Sequence, residues 1–370
     1  MFQVRSSQSK PVRSLFSGAT AAAAFLSLSF LSPSAQAQYQ RTDLVSNQAG
    51  VAPLQDERLV NGWGLVSLPG SPFWVSDNGT GLSTLYTGAG AQVPLVVAVP
   101  PASASPAGTL GSPTGVVGNI SPNAGDFTVS GNGTSAKALF IFATLDGTIS
   151  GWNPAVAIVS SGISHATLAA DRSSVGASYT GLAIAVNESN QAFLYAADDS
   201  RNRRIDMFDS SFHLVKSFTD PDIPKTYAPY GIQTINGNIW VTFTALNKGQ
   251  GGFVDVFDTA GNVVKHLAVD GPLHSPWGVT LAPADFGPMS NAILISNNIP
   301  KGRINAFDPQ TGEFLGPLLD ASGKPIEIDD VWALQFGQGA AANGPTNQLF
   351  FTAGPNNYAN GLFGTITLAN

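Results

Sequence analysis

Short apolar runs separated by Gly, Asn, Asp and Ser recur along the chain. Residues 192–209 show the pattern best: an apolar run is followed by the turn residues 198–202, and a second apolar run begins at Ile205. Both runs are largely apolar on both faces, which is typical of strands enclosed between stacked sheets. The pattern therefore predicts a hairpin inside a layered all-β fold.

This hairpin belongs to a repeated unit. Six units open with an apolar strand that carries Gly or, once, Ala, at Trp63-Gly64, Thr114-Gly115, Thr180-Gly181, Tyr230-Gly231, Trp277-Gly278 and Trp332-Ala333. A second strand follows in each and ends near Asp or Asn, at Asp77, Asp146, Asp198, Asn247, Asn297 and Asn356. Third and fourth strands complete most units, and this repetition in one phase predicts a six-bladed β-propeller with four-stranded blades. A two-sheet sandwich with insertions would explain the strands but not the common phase.

The sixth unit ends after its third strand. We expect residues 39–46, which precede the first unit, to supply the missing strand and so to join the two ends of the chain in one blade.

The first 37 residues have the pattern of a targeting segment. Arg5, Lys10 and Arg13 precede an apolar run at 19–31, and small residues occupy the cleavage positions at 35–37. We expect residues 1–37 to be a signal peptide and residues 38–370 to form the propeller, which is secreted or periplasmic after cleavage. The alternative is a membrane anchor, although the run is shorter than the ~20 residues of a spanning helix.

Charge and composition limit the partners. The chain has a formal net charge of −7 and no cysteine. Cleavage would remove three basic residues and no acidic ones, so the remaining chain is more acidic and we expect no nucleic-acid partner. We also expect no membrane span after cleavage, and the oligomeric state is left open. Without disulfides, stability must come from buried apolar area and ring closure.

Two segments resemble known families. Residues 192–209 resemble the NHL repeat, a blade motif of β-propellers. Residues 56–65, DERLVNGWGL, and 71–81, SPFWVSDNGTG, resemble the signature of an uncharacterised family of exported NHL-like β-propeller proteins. The resemblance implies the fold and export, and it brings no catalytic residues.

The inner strands of a propeller line one channel, so the residues around the opening glycines should form a ring. Aromatic and polar residues at a channel mouth are suited to ligand binding. The predicted contacts are Asn61, Trp63, Tyr230, Trp277, Asp330 and Trp332. The alternative is that the aromatic side chains fill the gaps between blades.

The Asp and Asn residues at the ends of the second strands have two interpretations. Their short side chains can accept hydrogen bonds from turn amides, which is a structural role. Their oxygens also suit calcium, which makes Asp77, Asp198 and Asn297 candidate metal ligands. Calcium is therefore a possible cofactor. The sequence contains no contiguous calcium loop of the EF-hand kind, and no cofactor is evident from it.

Candidate catalytic residues are few. His274 precedes the fifth inner strand and Glu57 precedes the first, so both are candidates for general acid–base work at the mouth. The sequence has no phosphate-binding loop and no nucleophile elbow. We expect a binding module for a small molecule, glycan or extracellular protein. The alternatives are a calcium-dependent hydrolase, lactonase or lyase at the same mouth, and a structural component of the cell envelope.

Overall fold

Six antiparallel sheets form the blades of a β-propeller in the computed structural model, which describes residues 38–247 and 251–369. The predicted signal peptide, residues 1–37, lies outside the described residues. Helix in the described part of the chain is limited to two 3-10 turns, Ser173–Val175 and Gly287–Met289. The repeat-based prediction of the fold is confirmed.

Each blade has four strands, ordered outwards from the channel. Blade 1 consists of Gly62–Val66, Phe73–Asp77, Leu82–Tyr86 and Gln92–Ala98; blade 2 of Pro113–Gly118, Phe140–Thr144, Thr148–Trp152 and Thr167–Asp171; blade 3 of Tyr179–Val186, Ala192–Asp198, Arg204–Phe208 and Leu214–Phe218. Blade 4 consists of Tyr227–Ile235, Asn238–Ala245, Phe253–Phe257 and Val263–Val269; blade 5 of Pro276–Leu281, Ile293–Asn297, Ile304–Phe307 and Phe314–Pro317; blade 6 of Val331–Phe336, Leu349–Ala353, Leu362–Leu368 and Tyr39–Ser46.

The N-terminal strand closes blade 6, as expected. Tyr39–Ser46 runs antiparallel to Leu362–Leu368, with Tyr39 opposite Leu368 and Ser46 opposite Leu362. The Tyr39 hydroxyl donates to the Phe286 carbonyl at 2.8 Å and accepts from the Met289 amide at 3.0 Å. The strand therefore covers the edge of blade 6 and also ties it to blade 5. A short strand, Leu54–Gln55, pairs parallel to its outer side.

Two insertions decorate blade 2. The first connects its inner and second strands and carries the hairpin Thr128–Gly131 with Thr134–Lys137. The second contains Val159–Ser160 and Ile163–His165, of which the latter pairs parallel with the outer strand of blade 1. This second insertion extends the sheet of blade 1 and so covers its edge. The hairpin of the first insertion follows the inner strand Pro113–Gly118, so it lies at the end of blade 2 where that strand finishes.

Hydroxyl groups join neighbouring blades beside the channel. In blades 4, 5 and 6 a hydroxyl on the second strand donates to a carbonyl of the next blade: Thr242 to Trp277 at 3.4 Å, Ser296 to Trp332 at 2.6 Å and Thr352 to Trp63 at 2.6 Å. The same oxygens accept the amides of Gly231, Gly278 and Ala333 in their own blades. Each hydroxyl therefore links an inner strand to the blade beside it.

Blades 2 and 3 make this link from a different position. Their second strands carry alanine where the others carry Ser or Thr, and Ala197 stands opposite Gly181. The hydroxyl comes instead from the residue before the opening glycine: Thr114 donates to the Tyr179 carbonyl at 2.6 Å, and Thr180 donates to the Tyr230 carbonyl at 2.7 Å. Threonine therefore precedes the opening glycine in the two blades whose second strand carries alanine, and an aromatic residue precedes the opening Gly or Ala in the four blades whose second strand carries Ser or Thr.

Candidate functional site at the channel mouth

The three tryptophans that precede the opening Gly or Ala of blades 1, 5 and 6 meet in one cluster inside the channel. The rings of Trp63 and Trp332 stack with centroids 3.7 Å apart, and Trp277 meets Trp332 edge-on at 5.8 Å. The Trp277 indole N–H donates to the Thr180 carbonyl at 3.0 Å, which links blade 5 to blade 3. The three tryptophans are only 1–7% exposed. They fill the channel by contact with one another, and blades 2 and 3 leave room by carrying threonine.

A cavity of about 480 Å³ opens on the side of this cluster from which the inner strands start. The polar residues of its wall come from blades 3 to 6 and the segments between them: Asp199, Tyr230, Thr244, His274, Ser275, Asn298, Asp330, Asn357 and Tyr358. Leu246, Ile299 and Pro300 add apolar surface. The cavity thus combines acids, one imidazole, two phenols and an apolar wall, and we call it the mouth cavity.

Some of the predicted ligand-binding residues line this cavity. Tyr230 and Asp330 do, and so does the predicted catalytic residue His274. Trp332 lies directly beneath, since its ring is 5.7 Å from Tyr230 and 5.5 Å from Tyr358 between centroids. The contact of these residues with a ligand stays a prediction.

Other predicted residues lie elsewhere. The Asn61 side chain is 4% exposed, accepts from the Trp332 indole N–H at 2.9 Å and donates to Asn78 at 3.1 Å. Its amide therefore orients the aromatic cluster. Glu57 is exposed in the segment before blade 1 and is not part of the cavity wall. Trp63 and Trp277 belong to the buried cluster.

The three candidate calcium ligands are held in separate blades. The Asp198 carboxylate accepts the amides of Ser178 and Ser200 at 3.0 and 3.1 Å. The Asn297 side chain accepts the His274 amide at 3.2 Å and donates to the Pro272 carbonyl at 2.7 Å. Asp77 is fully buried, and burial raises its pKa well above the usual range. None of the three is in the wall of the mouth cavity, and Asp198 and Asn297 make the hydrogen bonds of the structural interpretation.

The cavity wall instead contains the residues that follow these strand ends. Asp199 comes directly after Asp198, and Asn298 comes directly after Asn297. Successive side chains of an extended chain point to opposite sides. The strand-end residue therefore anchors the turn, and its successor faces the channel. Two of the predicted metal candidates, Asp198 and Asn297, are thus the sequence neighbours of residues in the cavity wall.

Asn298 organises the floor of the mouth cavity. Its side-chain oxygen accepts the hydroxyl of Tyr358 at 2.9 Å and that of Tyr230 at 3.3 Å, while its backbone amide donates to the Ser275 carbonyl at 2.9 Å. Burial raises the pKa of Tyr358 to about 12, and the neighbouring Asp330 adds to the shift. Burial likewise raises the pKa of Tyr230. Both phenols are therefore protonated donors at neutral pH.

The ionisation of Asp199 in the cavity wall is shifted by its surroundings. The pKa of its carboxyl is raised to about 6: burial is the main cause, a hydrogen bond with Ser178 opposes the shift, and the neighbouring Asp198 adds to it. A carboxyl with a pKa of about 6 exchanges protons near neutral pH, which suits acid–base chemistry.

Left-handed backbone conformations occur before three of the inner strands and in the cavity wall. Asn61, Ser275 and Asp330 occupy the same position before the inner strands of blades 1, 5 and 6, and all three have left-handed φ values of 46–50°. Three successive residues, Asn356, Asn357 and Tyr358, have φ values of 55–67°. Such conformations cost free energy outside glycine and concentrate at functional sites.

The fold and this cavity define a β-propeller with a polar pocket at one end of a plugged channel. Two uncharacterised proteins of Acanthamoeba polyphaga mimivirus, L690 and R648, are each 30% identical to this chain over 340 and 339 residues, which is 87% of the chain in both cases and 84% and 78% of the relatives. The chain belongs to the family of these proteins. No protein-family model matches the sequence.

Among solved structures, a streptogramin B lyase is similar over 90% of this chain and 97% of its own, with 12% identity and a TM-score of 0.49. Similarity at this level carries no information about the activity of this chain. In the described part of the chain, no helix has the length and apolar character needed to cross a membrane.

Proposed function

We propose that the protein binds a small molecule in the mouth cavity, and that this ligand carries a positive charge or several hydroxyl groups beside an apolar part. One observation carries the proposal: the cavity combines the carboxyl groups of Asp199 and Asp330 with the rings of Tyr230 and Tyr358. Acids bind cations and hydroxyl groups, and aromatic faces bind the apolar side of sugars and amines. The volume of about 480 Å³ lies in the usual range for small-molecule sites.

The arrangement of the wall supports binding more than passage through the channel. The buried aromatic cluster lies directly beneath the cavity, so a ligand would enter and leave from the mouth side. The phenols of Tyr230 and Tyr358 are already fixed by Asn298, and a wall ordered before binding lowers the entropy lost on association.

A second function, hydrolysis or elimination on the bound molecule, is favoured by Asp199 and His274, which line the same cavity. Asp199 has a pKa of about 6 and would accept a proton from water or from a carbon or oxygen acid of the substrate. Turnover of a bound compound by the wild-type protein, and its loss in Asp199→Asn, distinguishes this function from binding alone.

The binding proposal is tested by thermal unfolding in the presence of choline, putrescine, glucosamine, N-acetylglucosamine, glucose and galactose. We expect at least one compound to raise the melting temperature of the wild-type protein, because a ligand that binds only the folded state stabilises it. The shift should shrink in Tyr358→Phe and Asp330→Asn and persist in Asp285→Asn, which alters an exposed acid outside the cavity wall. Shifts that are identical in all four proteins would contradict the site.

The cellular location is part of the same proposal. We propose that residues 1–37 are removed on export and that residues 38–370 act as a secreted or periplasmic NHL-like propeller. The basic and apolar pattern of the N-terminus supports this. Mass spectrometry of the N-terminus of the protein made in a bacterial host with an export pathway tests it: a chain that begins near Gln38 supports export, and an intact N-terminus contradicts it.

A further inference from the structure

Four ionisable side chains meet on the outer part of blade 4, away from the mouth cavity wall. Asp220 and Asp222 lie in the segment between the outer strand of blade 3 and the inner strand of blade 4. Asp255 and His266 stand opposite each other on the third and outer strands of blade 4. The four residues come from three separate parts of the chain, and we call them the blade 4 cluster.

The imidazole of His266 lies between two buried carboxylates. Its Nδ1 atom is 3.1 Å from Asp220 Oδ2 and 3.1 Å from Asp255 Oδ1. Its Nε2 atom is 3.9 Å from Asp222 Oδ2, on the solvent side. One N–H group can make a good hydrogen bond to only one of the two buried carboxylates.

The buried acids lack enough donors. Asp220 and Asp255 are 3% and 1% exposed. Within the described residues, the Oδ2 atoms of Asp220 and Asp255 have no hydrogen-bond donor. Asp220 Oδ2 lies 3.1 Å from the imidazole Nδ1, and the Asp220 and Asp255 side chains are close enough to form a hydrogen bond when one of them is protonated. Two buried carboxylates side by side are costly unless a cation or a proton neutralises part of their charge. Ligand atoms of Asp220, Asp222 and His266 all lie within 4.8 Å of one another, and Asp255 Oδ1 lies 3.1 Å from the same imidazole.

We propose that Asp220, Asp255 and His266 bind a divalent transition-metal ion, and that Asp222 approaches it from the solvent side. The distances fit such an ion: two ligand atoms that each lie about 2.1 Å from a common metal are about 3.0–3.4 Å apart at angles from about 90° to 109°. Nitrogen together with carboxylate oxygen suits Zn²⁺ or Mn²⁺, whereas Ca²⁺ prefers oxygen ligands alone.

The ion would have a structural effect in this position. It would fix the segment that contains Asp220 and Asp222 against the outer strands of blade 4. That segment leads directly into the strand Tyr227–Ile235, which supplies Tyr230 to the mouth cavity. Metal binding would therefore stabilise blade 4 and the approach to the cavity without taking part in its chemistry.

Isothermal titration of the chelator-treated full chain with ZnCl₂, MnCl₂ and CaCl₂ tests the proposal. We expect one Zn²⁺ or Mn²⁺ per chain, weaker binding of Ca²⁺, and an affinity lowered by about tenfold or more in Asp255→Asn and His266→Gln. His213→Gln is the matched control, because His213 forms an exposed pair with Asp209 at 3.8 Å, and it should bind the metal as the wild type does.

The competing explanation is a proton shared by the two acids. Burial and the neighbouring Asp220 raise the pKa of Asp255 to about 7, opposed by His266. If the wild-type chain takes up neither Zn²⁺ nor Mn²⁺, or if the control variant loses as much affinity as His266→Gln, the metal proposal is overturned. Anomalous diffraction from wild-type crystals soaked in ZnCl₂ tests it without any variant: a peak between His266 and Asp220 supports the site, and the absence of a peak there contradicts it.

Discussion

Trp63 and Trp332 lie face to face, with ring centroids 3.7 Å apart and ring planes 17° from parallel. They come from the first and the last blade, so this contact joins the ends of the ring at the channel. The strand Tyr39–Ser46 joins the same two ends of the chain at the periphery. Trp332 also contacts the rings of Tyr230 and Tyr358 from below. The same side chain therefore helps to close the ring of blades and to shape the mouth cavity.

Trp332→Ala should lower the free energy of unfolding by about 3–5 kcal/mol, because it removes a fully buried aromatic side chain and leaves a void. Urea unfolding followed by fluorescence and circular dichroism measures the change. Phe314→Ala, at a residue that is 42% exposed, is the control and should change the value by less than about 1 kcal/mol. Equal losses in the two variants would show that the tryptophan cluster is not a main source of stability.

Thr352→Val should cost about 1–3 kcal/mol of stability. The change keeps the volume of the side chain but leaves the buried Trp63 carbonyl and Ala333 amide without the hydroxyl that they share. Ser76→Ala is the matched control: Ser76 occupies the second strand of blade 1, and its buried hydroxyl has no hydrogen-bond partner in the described part of the chain. Chemical denaturation should find the control close to wild type. A larger loss in the control would argue against hydroxyl links between blades.

Tyr39→Phe should cost about 1–2 kcal/mol, because it removes the hydroxyl that bonds Phe286 and Met289. Gln40→Ala, on the exposed side of the same strand, should be neutral. Deletion of residues 38–46 is the stronger change, since it exposes the edge of Leu362–Leu368 to other chains. Size-exclusion chromatography should then show association or aggregation. A stable monomer after this deletion would contradict the closing role of the strand.

Stability should depend on pH through Asp199. Its pKa is raised from 3.8 in the unfolded chain to about 6 by burial, so the folded state binds the proton more tightly. The contribution of the protonated Asp199 carboxyl to the free energy of unfolding is fully present below pH 3.8 and is lost as the pH rises through 6. Asp199→Asn cannot ionise and should gain in melting temperature relative to wild type between pH 4 and pH 8. A difference between the two proteins that is independent of pH would show that Asp199 has an ordinary pKa.

The sequence predicts the fold well because the same order of features occurs in six units, and each unit supports the interpretation of the others. The Gly or Ala of each inner strand and the Asp or Asn near the end of each second strand recur in one phase. The strand at 39–46 completes the sixth unit with the same bounds in the structure. The channel ring is predicted by the same phase, since Tyr230 and Asp330 reach the cavity.

The site is predicted less well, because the choice between adjacent side chains depends on the turn. Asp198 accepts hydrogen bonds from its own loop and Asp199 lines the cavity; the alternation of the strand separates the two side chains but does not tell which of them is on the channel side. Burial of the tryptophans depends on the threonines of blades 2 and 3, which leave space at the channel axis. The blade 4 cluster needs the register of two outer strands, which places Asp255 opposite His266, and the path of a loop that carries Asp220.

The most direct test of the mouth cavity is isothermal titration of the most stabilising panel compound into wild-type protein, Asp199→Asn and Asp285→Asn. We predict one binding site in the wild type, an affinity about tenfold or more weaker in Asp199→Asn because a buried charged contact is lost, and unchanged affinity in Asp285→Asn. Equal affinity in all three proteins, or no binding of any panel compound by the wild type, would contradict the assignment of the mouth cavity as the binding site.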